Sequence, residues 1–252
     1  MAAASLAGIC VRSTYARETA GWAAQGIGQD WFDLMFAVPW FAVTAALSLR
    51  GSERALLLLA GGVAYAFYEL VIYAFAIHFN AMFLVYCAAL GFSFFSLSGI
   101  GWLIARKPTS IPSPPDRDRE VAGALLLSIA TLFSMAWLGD IIPALTKGVV
   151  PPAIVDAGLP TNPVYVMDLS VVLPVHFIAG LALLRRKGFG FVLAPVVLAF
   201  DVMMALSLAV MMLVMRLRGA EASVPLAGGM ALISGASAVM LERILRSPRP
   251  AI

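Results

Sequence analysis

Seven apolar stretches divide the sequence, and each is long enough to cross a membrane as a helix. A helix rises about 1.5 Å per residue, so about 20 apolar residues cross the ~30 Å hydrocarbon core of a bilayer. We name the stretches spans A (Trp31–Leu49), B (Ala55–Phe79), C (Met82–Ala105), D (Val121–Thr146), E (Val164–Leu184), F (Phe189–Met215) and G (Pro225–Leu245). The sequence therefore predicts an all-α fold, a polytopic transmembrane helical bundle of seven spans.

The composition agrees with this class of protein. Hydrophobic residues make up 62% of the chain and charged residues 12%, whereas soluble domains average roughly 45–50% and about 25%. A soluble protein of this composition would expose one continuous apolar patch, so the lipid bilayer is the predicted partner. The net charge of +3 does not indicate a nucleic-acid partner. Cys10 and Cys87 form no Cys-x-x-Cys motif.

The basic residues predict the orientation, because cytoplasmic loops of membrane proteins are rich in Lys and Arg. One side of the predicted bundle carries 12 of the 17 basic residues: Arg50, Arg54, Arg106, Lys107, Arg117, Arg119, Arg185, Arg186, Lys187, Arg243, Arg246 and Arg249. The other side carries 5: Arg12, Arg17, Lys147, Arg216 and Arg218. We therefore expect the N-terminus outside and the C-terminus in the cytoplasm.

A pattern in span A recurs in span E. Asp33-Leu34 is followed by Val38-Pro39, and Asp168-Leu169 is followed by Leu173-Pro174, with the same spacing inside each motif. Glu69 in span B corresponds to Asp201 in span F when a short gap is allowed between them. Both A and E run from outside to inside, so the pattern predicts a parallel internal repeat in which spans A–C match spans E–G.

The repeat predicts how the chain is organised. Residues 1–29 form a short N-terminal segment, 30–105 the first repeat of three spans, 106–120 a cytoplasmic loop, and 121–252 the fourth span with the second repeat and a short tail. Span D precedes the second repeat, so the duplication also predicts a helix before span A. That helix is either absent or lies upstream of the sequence given.

Four segments resemble a group of uncharacterised bacterial multi-span membrane proteins: Gly28-Gln29-Asp30 through Asp33-Leu34, Tyr68 through Tyr73-Ala74-Phe75, His78-Phe79-Asn80 to Phe83-Leu84-Val85-Tyr86, and Leu159-Pro160-Thr161-Asn162-Pro163 through Asp168-Leu169 and Pro174. The resemblance covers most of the chain between Gln29 and Asp201. It implies a shared fold and a bacterial cytoplasmic (inner) membrane location, and nothing about activity. Members of the group often lack the acid found here at Glu69.

Charged side chains inside a bilayer are costly, about 2.5–3.5 kcal/mol at its centre on insertion scales, and are therefore functional candidates. Counting residues along the spans places Glu69, Asp201 and His176 near the midplane. Tyr65 and Tyr73 lie four residues before and after Glu69, on the same face of span B. These five residues predict a ligand- or proton-binding pocket between the repeats. The structural alternative is that they only join helices through hydrogen bonds.

A second polar layer is predicted near the outer surface, formed by Asp33, Asp140, Asp168 and His78. With the predicted bounds of spans A and E, Asp33 and Asp168 fall in the first turns of the helices, where the helix dipole favours an anion. Capping of the helices or contact with interfacial water explains this layer without a functional role.

Other patterns are weaker. Five methionines near the end of span F invite a copper interpretation, but methionine is also an ordinary packing residue: Met203, Met204, Met211, Met212 and Met215. The two histidines lie at different predicted depths, which disfavours a haem between them. We predict neither a metal nor a cofactor. A stripe of small residues in span G predicts close helix packing: Gly228, Ala231, Gly235 and Ala238.

Three functional hypotheses remain open from the sequence. The first is a small transporter or ligand-binding membrane protein, in which a proton, a cation or a small molecule engages Glu69 and Asp201. The second is a non-catalytic accessory or sensory subunit, whose lipid-facing polar residues would await a partner helix. The third is an intramembrane enzyme that acts on a lipidic substrate with paired carboxyls as acid and base. No familiar catalytic motif is present, which favours a non-enzyme.

The predicted orientation can be tested by cysteine labelling in intact cells. In a variant whose two native cysteines are replaced by serine, a cysteine placed between Arg106 and Glu120 should be shielded from an impermeant thiol reagent. A cysteine at the position of Asp156 should react. The opposite labelling pattern would overturn the assignment of the two sides.

Overall fold

The computed structural model of the protein describes residues 1–106 and 114–246, and this part of the chain is helical without strands. The helices are α1 (Ala2–Cys10), α2 (Ala20–Leu49), α3 (Glu53–Ala76), α4 (Phe83–Arg106), α5 (Asp116–Lys147), α6 (Pro152–Ala157), α7 (Pro163–Leu184), α8 (Gly188–Leu217) and α9 (Val224–Arg246). Seven of them are long and apolar enough to cross a membrane. The predicted all-α bundle with seven candidate spans is therefore confirmed.

One boundary differs clearly from the prediction. The predicted start of span A is Trp31, but α2 begins at Ala20, well before that position. The hydroxyl of Thr19 caps the helix by accepting a hydrogen bond from the amide of Trp22 at 3.3 Å. The first turns of α2 consist mainly of alanine and glycine, with Ala20 and Gly21 exposed and Ala24 the first buried residue. The predicted N-terminal segment of residues 1–29 therefore contains the start of the first spanning helix.

Helix α8 lies at the centre of the bundle, where it packs against α2, α3, α7 and α9. Its core side chains include Leu198, which is fully buried together with Leu126 of α5 and Leu183 of α7. Helix α4 is peripheral and packs mainly against α3. It presents large apolar side chains outward, such as Phe92 and Phe95, each 73% exposed. Lipid covers such a face in a multi-span membrane protein.

Glycines allow the closest helix contacts. A Cβ atom added at Gly61 of α3 would lie 2.5 Å from the Cβ of Ala199 and 2.6 Å from the carbonyl oxygen of Val196, both on α8. A Cβ atom added at Gly28 of α2 would lie 2.8 Å from the Cα of Met211, also on α8. Backbones that approach so closely bring the side chains around them into contact.

The stripe of small residues in span G does not make such contacts within the described chain. Nothing lies within 4 Å of a Cβ atom built at Gly228 or Gly235. The face of α9 that packs inward carries Ser234, Ser237 and Leu241 instead. The prediction of close packing for the stripe is therefore wrong for this chain by itself, because the rotation of α9 turns the stripe outward.

Two spanning helices contain a five-residue π-helical segment at equivalent places. The segments are Asp33–Ala37 in α2 and Asp168–Val172 in α7, and each begins at the aspartate of the repeated motif. The amide of Val38 donates to the carbonyl of Asp33, and that of Leu173 to Asp168. A proline follows in both helices, and proline cannot donate to the regular helical ladder. This equivalence supports the internal repeat, which remains a prediction.

Ion pairs join the helix ends on the side predicted to be cytoplasmic. Asp116 at the start of α5 pairs with Arg119 and, at 2.9 Å, with Arg186 in the turn between α7 and α8. Asp118 pairs with Arg243 of α9 at 3.2 Å. These contacts place the start of α5, the end of α7 and the end of α9 at one end of the bundle. We call the opposite end the predicted outer end.

The short helix α1 packs one face against the bundle and leaves Leu6 on its other face exposed. Its 9 residues cover about 14 Å, which is too short to cross. It packs against α2, the π-helical segment of α2 and α4. Ala4, Ser5 and Gly8 are its buried residues. Helix α1 thus takes a place beside α2 similar to the one that α5 takes beside α7.

The close contact of α3 with α8 predicts a stability difference between two glycine variants. Gly61→Ala should destabilise the protein by about 1–3 kcal/mol, because the added methyl overpacks a backbone contact. Gly99→Ala on α4 is the matched control, since nothing lies within 4 Å of its added Cβ. It should leave thermal unfolding in the same detergent unchanged or slightly raised. Equal unfolding temperatures for the two variants would contradict the close α3–α8 contact.

Candidate functional site

A cavity of about 430 Å³ lies between α2, α3, α5, α7, α8 and α9. It runs from Trp22 and Leu226, near the predicted outer end, to Asp201 in the middle of α8. All five residues predicted to form a midplane pocket line it: Tyr65, Glu69, Tyr73, His176 and Asp201. The structure therefore brings these side chains together around one internal space.

His176 and Asp201 form the polar wall contributed by α7 and α8. The Nδ1–H of His176 donates to the carbonyl of Val172 at 2.7 Å, because a carbonyl oxygen can only accept. Nε2 then meets Oδ1 of Asp201 at 2.7 Å. Either an imidazolium donates to a carboxylate or a protonated acid donates to a neutral imidazole. The pair is neutral overall in both cases. Oδ2 of Asp201 is buried and has no hydrogen-bond partner among the described residues.

Asp33 and Glu69 form the polar wall contributed by α2 and α3. Tyr65 donates to Oδ1 of Asp33 at 2.9 Å, and Ser5 of α1 donates to Oδ2 at 3.2 Å. The amide of Gln29 donates to Oδ1 at 3.4 Å and also contacts the Tyr65 hydroxyl. The carboxyls of Glu69 and Asp33 are neighbours that interact electrostatically. A hydrogen bond between two carboxyl groups needs a proton on one of them, because ionised carboxylates only accept.

Glu69 differs from Asp33 in having an oxygen without a partner. Its Oε2 is buried and has no hydrogen-bond partner among the described residues, although Glu69 lines the cavity. Each polar wall therefore contains one buried carboxyl oxygen that is unpartnered among the described residues, on Glu69 and on Asp201. An unpaired buried carboxyl oxygen costs free energy unless a ligand, a proton or water satisfies it.

Asp30 extends the acidic cluster by one helical turn toward the predicted outer end. Tyr15 donates to its Oδ2 at 2.6 Å and Tyr73 to its Oδ1 at 2.9 Å. Burial and the neighbouring Asp30 carboxylate raise the pKa of the Tyr15 phenol above its ordinary value, so this hydroxyl stays protonated. A Cβ atom added at Gly8 would lie 1.8 Å from Oδ2 of Asp30. Helix α1 therefore covers this carboxyl directly.

The surroundings of Asp33 differ from the capping or interfacial role that the sequence suggests for it. Its side chain is buried, with the residue only 1% exposed. It lies well inside α2, roughly 20 Å along the helix from Ala20. The reason is the earlier start of α2, which moves Asp33 from the first turn to the middle of the helix. It neither caps a helix nor meets interfacial water, and it belongs to the inner acidic cluster.

The other three residues of that layer have separate surroundings. Asp168 lines the cavity and accepts a hydrogen bond from Nε1 of Trp137 at 2.7 Å, so it does not act as a helix cap. Asp140 is exposed and accepts from the Tyr165 hydroxyl at 3.0 Å. His78 lies between α3 and α4, where its Nδ1 is 3.0 Å from Glu18. Asp140 and His78 are not among the residues that line the cavity.

Sequence reasoning missed Asp30, Gln29, Tyr15 and Ser5, because it placed them before the first span or at its edge. A signal was present in Thr19, a good N-cap residue directly before Ala20. Extending the helix to Ala20 puts Asp30 and Asp33 on one face, at i and i+3. Tyr65, Glu69 and Tyr73, at successive i, i+4 positions of α3, then complete the cluster.

The methionines of span F have ordinary surroundings. Met204, Met211 and Met212 line the apolar wall of the cavity, and Met203 and Met215 are buried packing residues. Their thioethers face aliphatic and aromatic neighbours, a common role for a flexible apolar side chain.

The fold and the cavity together define a class: a multi-span α-helical membrane protein with a mostly apolar cavity that is also lined by acidic side chains. No family model, curated protein sequence or solved structure matches the chain. The resemblance to bacterial multi-span proteins therefore stays a prediction, and so do the bacterial inner membrane and the orientation.

The His176–Asp201 contact predicts non-additive stability effects. His176→Leu should destabilise the protein by about 1–3 kcal/mol, because it leaves the buried acid without a partner. Adding Asp201→Leu should recover part of that loss, since the orphaned carboxyl is removed. His78→Leu, at the other, half-exposed histidine, is the control and should change stability less. Thermal unfolding of the wild type, the single variants His176→Leu and Asp201→Leu, the double variant and the control measures the effect, and purely additive losses would show that the two residues are not partners.

Proposed function

We propose that the protein is a small transporter or ligand-binding membrane protein whose cavity engages its ligand at Glu69 and Asp201. The observation that carries the proposal is that Glu69 and Asp201 line one cavity and that each has a buried carboxyl oxygen, Oε2 and Oδ2, without a hydrogen-bond partner among the described residues. Carboxyl groups in a bilayer are normally paired because leaving them unpaired is costly. A binding site for a cation, a proton or a hydrogen-bond donor explains why these two oxygens are free.

The placement of the cavity supports the same proposal. Transporter sites commonly lie near the bilayer midplane at the interface of two repeats. Here α2 and α3 of the predicted first repeat face α7, α8 and α9 across the cavity. Both π-helical segments lie beside it, and Asp168 and Val172 of the second segment line it directly. Such interruptions of regular helices are frequent at functional sites. This part of the argument rests on architecture, by analogy.

Protons are part of the proposed binding event. The Asp33–Glu69 contact requires a proton between two carboxyls, and the His176–Asp201 contact contains one proton that either partner can hold. A ligand that contacts the free oxygen of Glu69 or Asp201 changes how strongly that carboxyl holds its proton. Ligand binding and proton binding are therefore linked in this site.

The accessory-subunit hypothesis predicts different surroundings for polar residues such as Glu69 and Asp201. It needs polar side chains that face lipid and await a partner helix, whereas Glu69 and Asp201 are each 5% exposed and face an internal space. Under that hypothesis the two acids only join helices, and a neutral amide can replace a protonated acid in such a role. Conservative substitutions therefore separate the two hypotheses.

Glu69→Gln and Asp201→Asn should insert and fold normally but lose the proton-dependent behaviour of the cavity. Trp22 and Trp137 line the cavity and report on it by fluorescence. In lipid nanodiscs, the wild type should show a pH-dependent emission change and an infrared band of buried carboxylic acid that diminishes with rising pH. Each variant should lose part of both signals. Asp140→Asn, an exposed acid outside the cavity, should retain them.

An unchanged pH response in the two variants would contradict the proposed function. If both variants keep the full wild-type pH response, the cavity carboxyls do not exchange protons, and the proposed function fails. The structural role of these acids, and with it the accessory-subunit hypothesis, would then account for the cavity.

A further inference from the structure

The walls of the cavity are mostly apolar and strongly aromatic. Seven aromatic side chains line it: Trp22, Tyr65, Tyr68, Tyr73, Phe133, Trp137 and Phe200. The rings of Tyr68 and Phe200 meet edge to face at 6.0 Å, and Trp137 lies 5.1 Å from Tyr165. Aliphatic and methionine side chains from α5, α8 and α9 complete the lining. A ligand that fills this space must itself have a substantial apolar body.

The ionisable groups of the cavity are mainly acids. Glu69, Asp168 and Asp201 line it, and among the described lining residues none is lysine or arginine. The imidazole of His176 is already engaged by Val172 and Asp201, and the indole N–H of Trp137 by Asp168. The carboxyl oxygens of Glu69 and Asp201 are left unpartnered within the described chain. The site therefore offers hydrogen-bond acceptors and negative charge to a ligand.

We propose that the ligand is a lipophilic amine that binds as its ammonium ion, a proposal that rests on the function proposed above. The ammonium group would donate to the free oxygen of Glu69 or Asp201, as in other charge-assisted hydrogen bonds. The aromatic walls attract a cation through their ring faces, an interaction that strengthens when water is excluded. An anionic ligand would meet carboxyls with no lysine or arginine among the described lining residues to balance it, and a neutral ligand would gain no ion pair.

The proposed binding step conserves charge, because the ammonium ion that enters the cavity replaces a proton that leaves it. A protonated Glu69 releases its proton when R–NH₃⁺ enters, so that one O–H bond breaks and a carboxylate–ammonium ion pair forms. One positive charge enters the cavity and one leaves as a proton, and the charge buried in the bilayer stays constant. This avoids the cost of adding an unpaired charge to a low-dielectric site. Amine binding should therefore release protons and tighten as pH rises, until the amine itself deprotonates.

Three ligands with the same phenylpropyl body test the ligand class: phenylpropylamine, phenylpropanol and phenylbutyrate. Binding to the protein in nanodiscs is measured by titration calorimetry in two buffers of different ionisation enthalpy, with empty nanodiscs as the blank. The amine should bind saturably with proton release, about tenfold or more tightly than the alcohol, and the carboxylate should not bind. Glu69→Gln should weaken amine binding about tenfold and abolish the proton release, whereas Asp140→Asn should change neither.

The failure of this inference can be told from the failure of the proposed function. If the alcohol or the carboxylate binds as tightly as the amine and Glu69→Gln weakens that binding, the amine class is wrong and the cavity is still a ligand site. Amine binding that neither Glu69→Gln nor Asp201→Asn weakens, or no saturable amine binding, also overturns the amine class. The pH response of the cavity tryptophans decides the proposed function independently.

Discussion

The neighbouring carboxyls of Asp33 and Glu69 require that polar protein groups surround them, and the packing of this half of the bundle depends on that requirement. Hydrocarbon offers no hydrogen-bond partner, so two adjacent carboxyls in a membrane bundle can persist only if protein groups surround them. Tyr65, Gln29 and Ser5 satisfy Asp33, and they come from three different helices. Tyr15 and Tyr73 satisfy Asp30 one turn away. The polar cluster thus fixes how α1, α2 and α3 pack in this half of the bundle.

The two predicted repeats give their buried acid different partners. Glu69 of α3 and Asp201 of α8 occupy corresponding places in the predicted repeats. Glu69 faces another acid, Asp33, whereas Asp201 faces an imidazole, His176. Two acids need a shared proton to form a hydrogen bond, whereas an acid and an imidazole can also form an ion pair. If the bundle is duplicated, it has in this way acquired one cavity with two chemically distinct walls.

The fold and part of the cavity could be predicted from the sequence, and both predictions depend on the cost of placing polar groups in lipid. Lipid burial demands long apolar stretches, so the spans are visible in the sequence, and Glu69, Asp201 and His176 stand out because charges in them are rare. The start of α2 was missed because Gly21, Gln25 and Gly26 lower its apparent hydropathy. The sequence also did not predict which side chains form hydrogen bonds with one another. Each π-helical segment adds one residue, which shifts the helix face by about 100°, and no local pattern announces it.

The short length of α1 has a consequence for how the protein is made. A helix of 9 residues covers about 14 Å, so it enters and leaves the bundle on one side of the ~30 Å core. The surface that receives it is built by α2, α3 and α4, through contacts with Asp33, Asp30 and Tyr86. Those helices must already be inserted and paired before α1 can dock. Membrane insertion and the sealing of the acidic cluster are therefore separate events in biogenesis, and α1 docks after the helices that follow it in the chain.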